Sequence, residues 1–175
     1  FFRGEYNYKE LYYAEVAART DASSRFGKDH RWGMFWSLGF MWNIKNEAFL
    51  KEIEWLTNAQ IKLSTGTSGN SEIPYYDHLA LVAGDANYND EAGIYPKQSG
   101  NEELSWEQTW ANNIGLTLGF FNRVNLNVDF YHKKTTNMLM LVPQSYAITG
   151  VGNRWDNIGA MMNRGVEIAM DGDVI

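Results

Sequence analysis

The sequence predicts an all-β chain, an antiparallel segment of about seven strands from a transmembrane barrel, on three observations. The first is residues 32–42, Trp-Gly-Met-Phe-Trp-Ser-Leu-Gly-Phe-Met-Trp, in which Met34, Trp36, Leu38, Phe40 and Trp42 form a wholly apolar alternate set. The other parity is broken by Gly33, Ser37, Gly39 and Asn43. A strand crossing a bilayer needs about 9 to 11 residues with a lipid-facing side chain at every second position. The second observation is a hairpin. Ile114, Leu116, Leu118 and Phe120 alternate on one strand, Phe121-Asn122-Arg123 turns, and Val124, Leu126, Val128 and Phe130 alternate on the next. Asn113, Gly115, Thr117, Asn125, Asn127 and Asp129 oppose them, so one face suits hydrocarbon and the other suits water. The third is that short turns alternate with long polar connections, which places the short ones at the periplasmic end and the long ones at the cell surface.

The elements follow in order. A first strand closes at Tyr6, and Tyr8-Lys9-Glu10 turns tightly into Leu11 to Thr20, where Tyr12, Ala14, Val16 and Ala18 alternate with Tyr13, Glu15 and Arg19. A polar loop covers Asp21 to Arg31, and the Trp32 to Asn43 strand follows. Between Asn46 and Leu56 the spacing of Phe49, Leu50, Ile53 and Leu56 predicts a short periplasmic helix capped by Asn46. Ala59 to Thr67 resumes the alternation through Ile61 and Leu63. From Gly69 to Glu103 no periodicity survives, and so long a loop usually carries function. A last strand is expected over Asp156 to Met170. Arg164 there shares parity with Ile158, Ala160, Met162, Val166, Ile168 and Met170, which puts it near the outer headgroups or at a bulge beside Gly165.

Composition narrows the function classes. The 175 residues are 45% hydrophobic and 15% aromatic, and a mean hydropathy of -0.41 arises when lipid-facing and lumen-facing residues cancel along each strand. A net charge of -6 without a basic run argues against nucleic acid, whose phosphates require clustered Lys and Arg. The absence of cysteine excludes disulfides and thiolate metal sites. The chain starts at Phe1 and ends just beyond the Asp171-Gly172 turn signal, so both ends are expected to be cuts in a longer protein.

Several blocks together resemble one family. Asp21-Ala-Ser-Ser-Arg-Phe-Gly27, Arg31-Trp-Gly-Met-Phe35, Phe49-Leu-Lys-Glu-Ile-Glu-Trp-Leu56, Ser64-Thr-Gly-Thr-Ser-Gly-Asn70, Leu104-Ser-Trp-Glu107, Asn157-Ile-Gly159 and Asn163-Arg-Gly-Val-Glu167 resemble, in order, the SusC/RagA family of TonB-dependent outer-membrane transporters. The resemblance runs from about Tyr8 to Met170. It implies that residues 1–175 are part of a TonB-dependent receptor barrel of about 22 strands, in the Gram-negative outer membrane. A plug outside this segment would couple to TonB, and a SusD-like surface lipoprotein would act as lid over a glycan or peptide cargo. Outer-membrane lipid is then a further partner, and no cofactor is implied. Trp36 stands where many members carry Pro.

Chemistry is sparse. Asp85-Ala-Asn87-Tyr-Asn89 imitates the start of a calcium loop, yet Asp90 replaces the turn Gly and Pro96 occupies the slot of the bidentate Glu, so a solvated polar loop is expected. His30, His78 and His132 lack metal-ligand spacing. Gly66-Thr-Ser-Gly69 is not a nucleophile elbow, and Gly150-Val-Gly152 lacks the third Gly of a dinucleotide fingerprint. No catalytic constellation emerges. Tyr75, Tyr76, Tyr88 and Tyr95, in the long surface loop, are the candidate cargo contacts, since a phenol offers a flat apolar face with a polar handle; packing of the loop itself is the alternative. Trp32, Trp42, Trp106 and Trp110 suit aromatic girdles at the two interfaces. The rival architecture is a soluble carbohydrate-binding β-sandwich, in which Trp36, Leu38, Leu116 and Val128 would be buried against a second sheet.

Overall fold

The computed structural model describes residues 1–173, the Tyr88 side chain excepted. Seven strands, Phe2–Tyr8 (β1), Tyr12–Ala22 (β2), Trp32–Asn43 (β3), Leu56–Asn70 (β4), Glu107–Phe120 (β7), Val124–Thr136 (β8) and Ala160–Gly172 (β11), form one antiparallel sheet in that spatial order. Leu81–Tyr88 (β5) and Glu91–Gln98 (β6) make a separate hairpin inside the β4–β7 connection. Leu139–Pro143 (β9) and Asn153–Asn157 (β10) make another inside the β8–β11 connection, with one helical turn at Tyr146–Thr149. No helix among the described residues is long and apolar enough to cross a membrane, which says nothing of strands.

Pairing fixes which side chains share a face. Val16, Leu38, Thr65, Asn112, His132 and Arg164 lie opposite one another in a single row, and Tyr6, Ala14, Phe40, Leu63, Ile114, Phe130 and Val166 form the next row. All thirteen residues of the alternating apolar sets on β3, β7 and β8 therefore lie on one face, because side chains alternate with a period of two. That face is uncovered: Ile114 is 52% exposed and Phe130 44%. A sandwich would bury it against a second sheet, so the soluble alternative fails.

The opposite face is polar and cross-linked. Thr117 donates to Asn127 at 2.9 Å, Asn113 to Asp129 at 3.3 Å, Asn125 to Asp171 at 2.9 Å, and Arg3 pairs with both Glu5 and Glu15. The Arg3 ion pairs are solvent-exposed, so each contributes little on its own.

Two of the short turns match expectation. Lys9 and Glu10, and Phe121 and Asn122, all have positive φ, and two consecutive such residues give the turn whose twist suits a hairpin. Leu11 donates back to the Tyr8 carbonyl and Arg123 to that of Phe120.

The helix expected over Asn46 to Leu56 shrinks to a turn at Ile44–Asn46 and one at Ala48–Lys51, headed by Glu47 with no side-chain cap, and Leu56 already pairs with Phe120. Lys45 explains the early stop: its ammonium donates to the carbonyls of Leu50, Lys51 and Ile53 at 2.9, 3.2 and 2.7 Å, satisfying groups that a longer helix would have used. A helix this short gains too few internal bonds to persist alone.

Two further expectations are corrected. The 69–103 stretch is not aperiodic loop throughout, because β5 and β6 turn over Asn89 and Asp90, both at positive φ. Most of this hairpin is exposed, so no apolar alternation marks it. The strand expected over Asp156 to Met170 divides at Ile158-Gly159, where Gly159 has φ 89°. From Ala160↔Thr136 to Gly172↔Val124 the β8–β11 pairing is unbroken, so no bulge occurs at Gly165. A Cβ there would stand 2.7 Å from the Tyr131 hydroxyl.

Candidate functional site

The sheet is nearly coreless, and its packed interior lies at the end carrying the long connections. Phe26 and Leu104 are fully buried there with Ile73, and Trp106, Leu139 and Trp155 pack against them. Three connections thus meet: β2–β3 supplies Phe26, β4–β7 supplies Ile73, Leu104 and Trp106, and β8–β11 supplies the region of Leu139 and Trp155. Apolar burial of this kind contributes roughly 1.5–3 kcal/mol per large side chain.

Polar groups lock the cluster. Asn157 accepts from the Ser105 N–H at 2.8 Å and donates to the carbonyls of Ser105 and Asn137, both at 2.9 Å. Asn101 donates to the Trp155 carbonyl and to Asp156, and Glu107 accepts from the Leu139 N–H at 3.1 Å. Arg25 donates to the Ser71 carbonyl at 3.0 Å, and its guanidinium lies 4.8 Å from the Tyr75 ring centre. A Cβ at residue 27 would sit 2.3 Å from the Glu102 carbonyl oxygen, so only glycine allows that approach. At Gly69 an added Cβ would strike the Phe35 ring, which would have to shift to admit it. Trp106 belongs to this cluster and not to an interfacial girdle. It stands 5.5 Å from Phe26 and 5.3 Å from Phe35, and its indole donates to the Arg31 carbonyl.

The candidate cargo-contacting tyrosines sit in different settings. Tyr75 and Tyr76 lie between β4 and β5 and are 64% and 65% exposed. Tyr76 has φ 71°, and its carbonyl accepts from Gln98 at 2.8 Å. Tyr95 stands on β6, and its hydroxyl bonds to Asp85, which holds the phenol above its ordinary pKa, first through that hydrogen bond and then through the carboxylate charge. Tyr88 ends β5, and its side chain lies outside the described residues. Asp85 and Asn87 belong to a strand and not to a cation loop.

A recess of about 360 Å³ lies at the same end, lined by Asp77, Lys97, Tyr146, Arg154 and Trp155 among others. Arg154 is paired with Asp156 at 2.7 Å. Burial raises the pKa of Asp77, opposed by a hydrogen bond to Trp155 and the charge of His78. Pro96 of β6 lies beside Gly150, so the two hairpins flank this recess. Sequence reasoning missed these residues because they come from hairpins that it did not foresee, and no local pattern unites them.

Comparison with known proteins accounts for this architecture. The description "TonB dependent receptor-like, beta-barrel" matches residues 1–173. The chain belongs to that family. Among its relatives, TonB-dependent receptor P39 of Formosa agariphila is 36% identical over 94% of this chain, and TonB-dependent receptor SusC of Bacteroides thetaiotaomicron is 34% identical over 98%. The solved structure of the RagAB peptide importer in its 'closed-closed' state superposes with a TM-score of 0.91, at 40% identity over 99% of this chain. The siderophore receptor PirA from Pseudomonas aeruginosa shares the fold at 13% identity and a TM-score of 0.64. The chain spans 16% and 18% of the two sequence relatives and 19% of the RagAB chain. The SusC/RagA resemblance is thereby established, as is the antiparallel barrel segment. In this TonB-dependent receptor segment, the blocks Arg25-Phe-Gly27, Leu104-Ser-Trp-Glu107 and Asn157 are those that tie the long connections together.

Proposed function

We propose that this chain forms part of the wall and surface loops of an outer-membrane TonB-dependent transporter that imports a large nutrient, an oligopeptide or a glycan. The carrying observation is the two-faced sheet: an uncovered apolar face, a hydrogen-bonded polar face, and the two longest connections, β4–β7 and β8–β11, at one end. In this reading Met34, Trp36, Leu38, Phe40 and Trp42 on β3, Ile114 to Phe120 on β7 and Val124 to Phe130 on β8 touch acyl chains at alternate positions. From Met34 to Trp42 is about 27 Å along the strand, or about 21 Å across a bilayer for a tilt near 40°, close to the apolar band of about 25 Å.

Tilt also explains a shift in the stripe. On β3 it starts three rows nearer the long connections than on β7, where Asn112, Trp110 and Gln108 occupy the corresponding rows. A belt level with the membrane must descend in this way along the pairing rows of inclined strands. Trp42 and Tyr12, which both donate to Glu47, then mark the periplasmic rim, and Trp110 marks the outer one.

Cargo would meet the surface end. Tyr75, Tyr76, Tyr88 and Tyr95 are proposed contacts, with the recess at Lys97 and Arg154 offering charge to a peptide or acidic sugar. Peptide is the favoured class, because the RagAB importer superposes closely over this segment. A SusD-like lipoprotein as lid and TonB acting through a plug are the proposed partners. The test is uptake of labelled oligopeptides and oligosaccharides by cells expressing the full-length transporter with its lipoprotein, against cells carrying Lys97→Ala with Arg154→Ala. Peptide uptake that falls at least tenfold supports the reading; uptake of neither class by the unaltered transporter overturns it.

A further inference from the structure

We propose that Lys134 and Arg164, with His132 between them, bind the phosphate of an anionic outer-leaflet lipid on the outer surface of the barrel, an inference that rests on the lipid-facing assignment of the apolar face. The seven strands of the sheet carry seven carboxylates, Glu5, Glu15, Asp21, Glu107, Asp129, Glu167 and Asp171, and strand parity puts all of them on the polar face. Arg3, Arg19, Lys62 and Lys133 share that face. The only formally charged side chains that the described strands of this sheet place on the apolar face are Lys134 and Arg164. Both are cations and both are exposed.

Their placement is not scattered. His132 lies directly opposite Arg164, and Lys134 is two residues further toward the long connections. Directly opposed Cβ atoms in a sheet are about 5 Å apart and diagonal ones about 7–8 Å, so the three polar tips converge within the reach of one phosphate. Like charges so close repel one another, and no carboxylate on this face relieves them. The ion pairs among the described residues involve Arg3, Arg19 and Arg154, not these two.

The surroundings match a lipid in section. One row toward the short turns lie Ile114, Phe130 and Val166, the upper margin of the apolar stripe on β7 and β8, while on β11 Met162 continues it opposite Lys134. Across β7, Trp110 faces Lys134, donates its indole N–H to Thr65 at 3.1 Å and stands edge-on to Trp36 at 5.9 Å. Cations directly above an apolar row, beside an interfacial tryptophan, hold a headgroup phosphate while the acyl chains run down the stripe.

The experiment uses the full-length transporter in neutral-detergent micelles, titrated with a phosphorylated outer-leaflet glycolipid, its dephosphorylated form, or inorganic phosphate. Lys134→Gln with Arg164→Gln is compared with Lys133→Gln, the neighbouring cation on the polar face. The expected result is phosphate-dependent glycolipid binding weakened about fivefold per cation removed, about 25-fold for the pair, and unchanged in Lys133→Gln. Equal binding of both glycolipid forms, or inorganic phosphate competing as well as the lipid, overturns the proposal. A nitroxide at Phe130→Cys keeps the two readings apart: relaxation by oxygen but not by a water-soluble chelate upholds the lipid-facing face whatever the titration gives. The reverse overturns that face and the phosphate site with it.

Discussion

Asn157 and Ser105 hold each other reciprocally across 52 residues of sequence: the Asn157 side chain accepts from the Ser105 N–H and donates to its carbonyl. Asn157→Ala would leave three backbone groups, the Ser105 N–H and the Ser105 and Asn137 carbonyls, without a side-chain partner, a cost of about 1–3 kcal/mol each if they stay dry. The expected outcome is faster hydrogen exchange over residues 101–106 and 153–157 in the full-length protein, with exchange in β7 and β8 unchanged.

Gly69 and Phe35 make a second tight pair. Gly69→Ala should destabilise the receptor by about 1–3 kcal/mol through overpacking, measured as a lower melting temperature in detergent. Phe35→Ala added to it should recover part of the loss, since the ring that the new methyl strikes is gone. Two additive penalties would contradict that geometry.

Depth should set the cost of charge on the apolar face. Leu116→Arg, in the middle of the β7 stripe, is expected to cost about 2–4 kcal/mol, whereas Trp110→Arg near the rim costs about 0–1 kcal/mol. Urea unfolding of the full-length protein in bilayers checks the difference. Equal costs would mean that neither position senses a hydrocarbon gradient.

The segment expressed alone should not persist as a monomer in water. It exposes a broad apolar face and two strands, β1 and β11, each with one unpaired edge. Size-exclusion chromatography without detergent is expected to give aggregate, and a monodisperse 20.1 kDa species would contradict the lipid-facing reading.

Legibility in the sequence followed the two faces of the sheet. Where β3, β7 and β8 separate an apolar face from a polar one, alternation located the strands, the Phe121-Asn122 turn and every apolar position. Where both faces meet water, as in β5–β6, Ala, Gly and Asn carry no such mark and the hairpin went unseen. The 46–56 helix failed for the converse reason, because a helical spacing existed but Lys45 closed the turn after Lys51. Tyr75 and Tyr95 were legible as surface aromatics, yet the recess around Arg154 and Trp155 depends on chain crossings that no local pattern encodes.

The knot of Phe26, Leu104 and Trp155 at the base of the long connections divides labour between anchor and fingertip. Residues of the knot are bound to one another by packing and hydrogen bonds that tolerate few changes. The two hairpins beyond it project from this shared foundation like interchangeable tools in a fixed chuck, so their tips can be lengthened, shortened or rewritten while the staves beneath keep their shape.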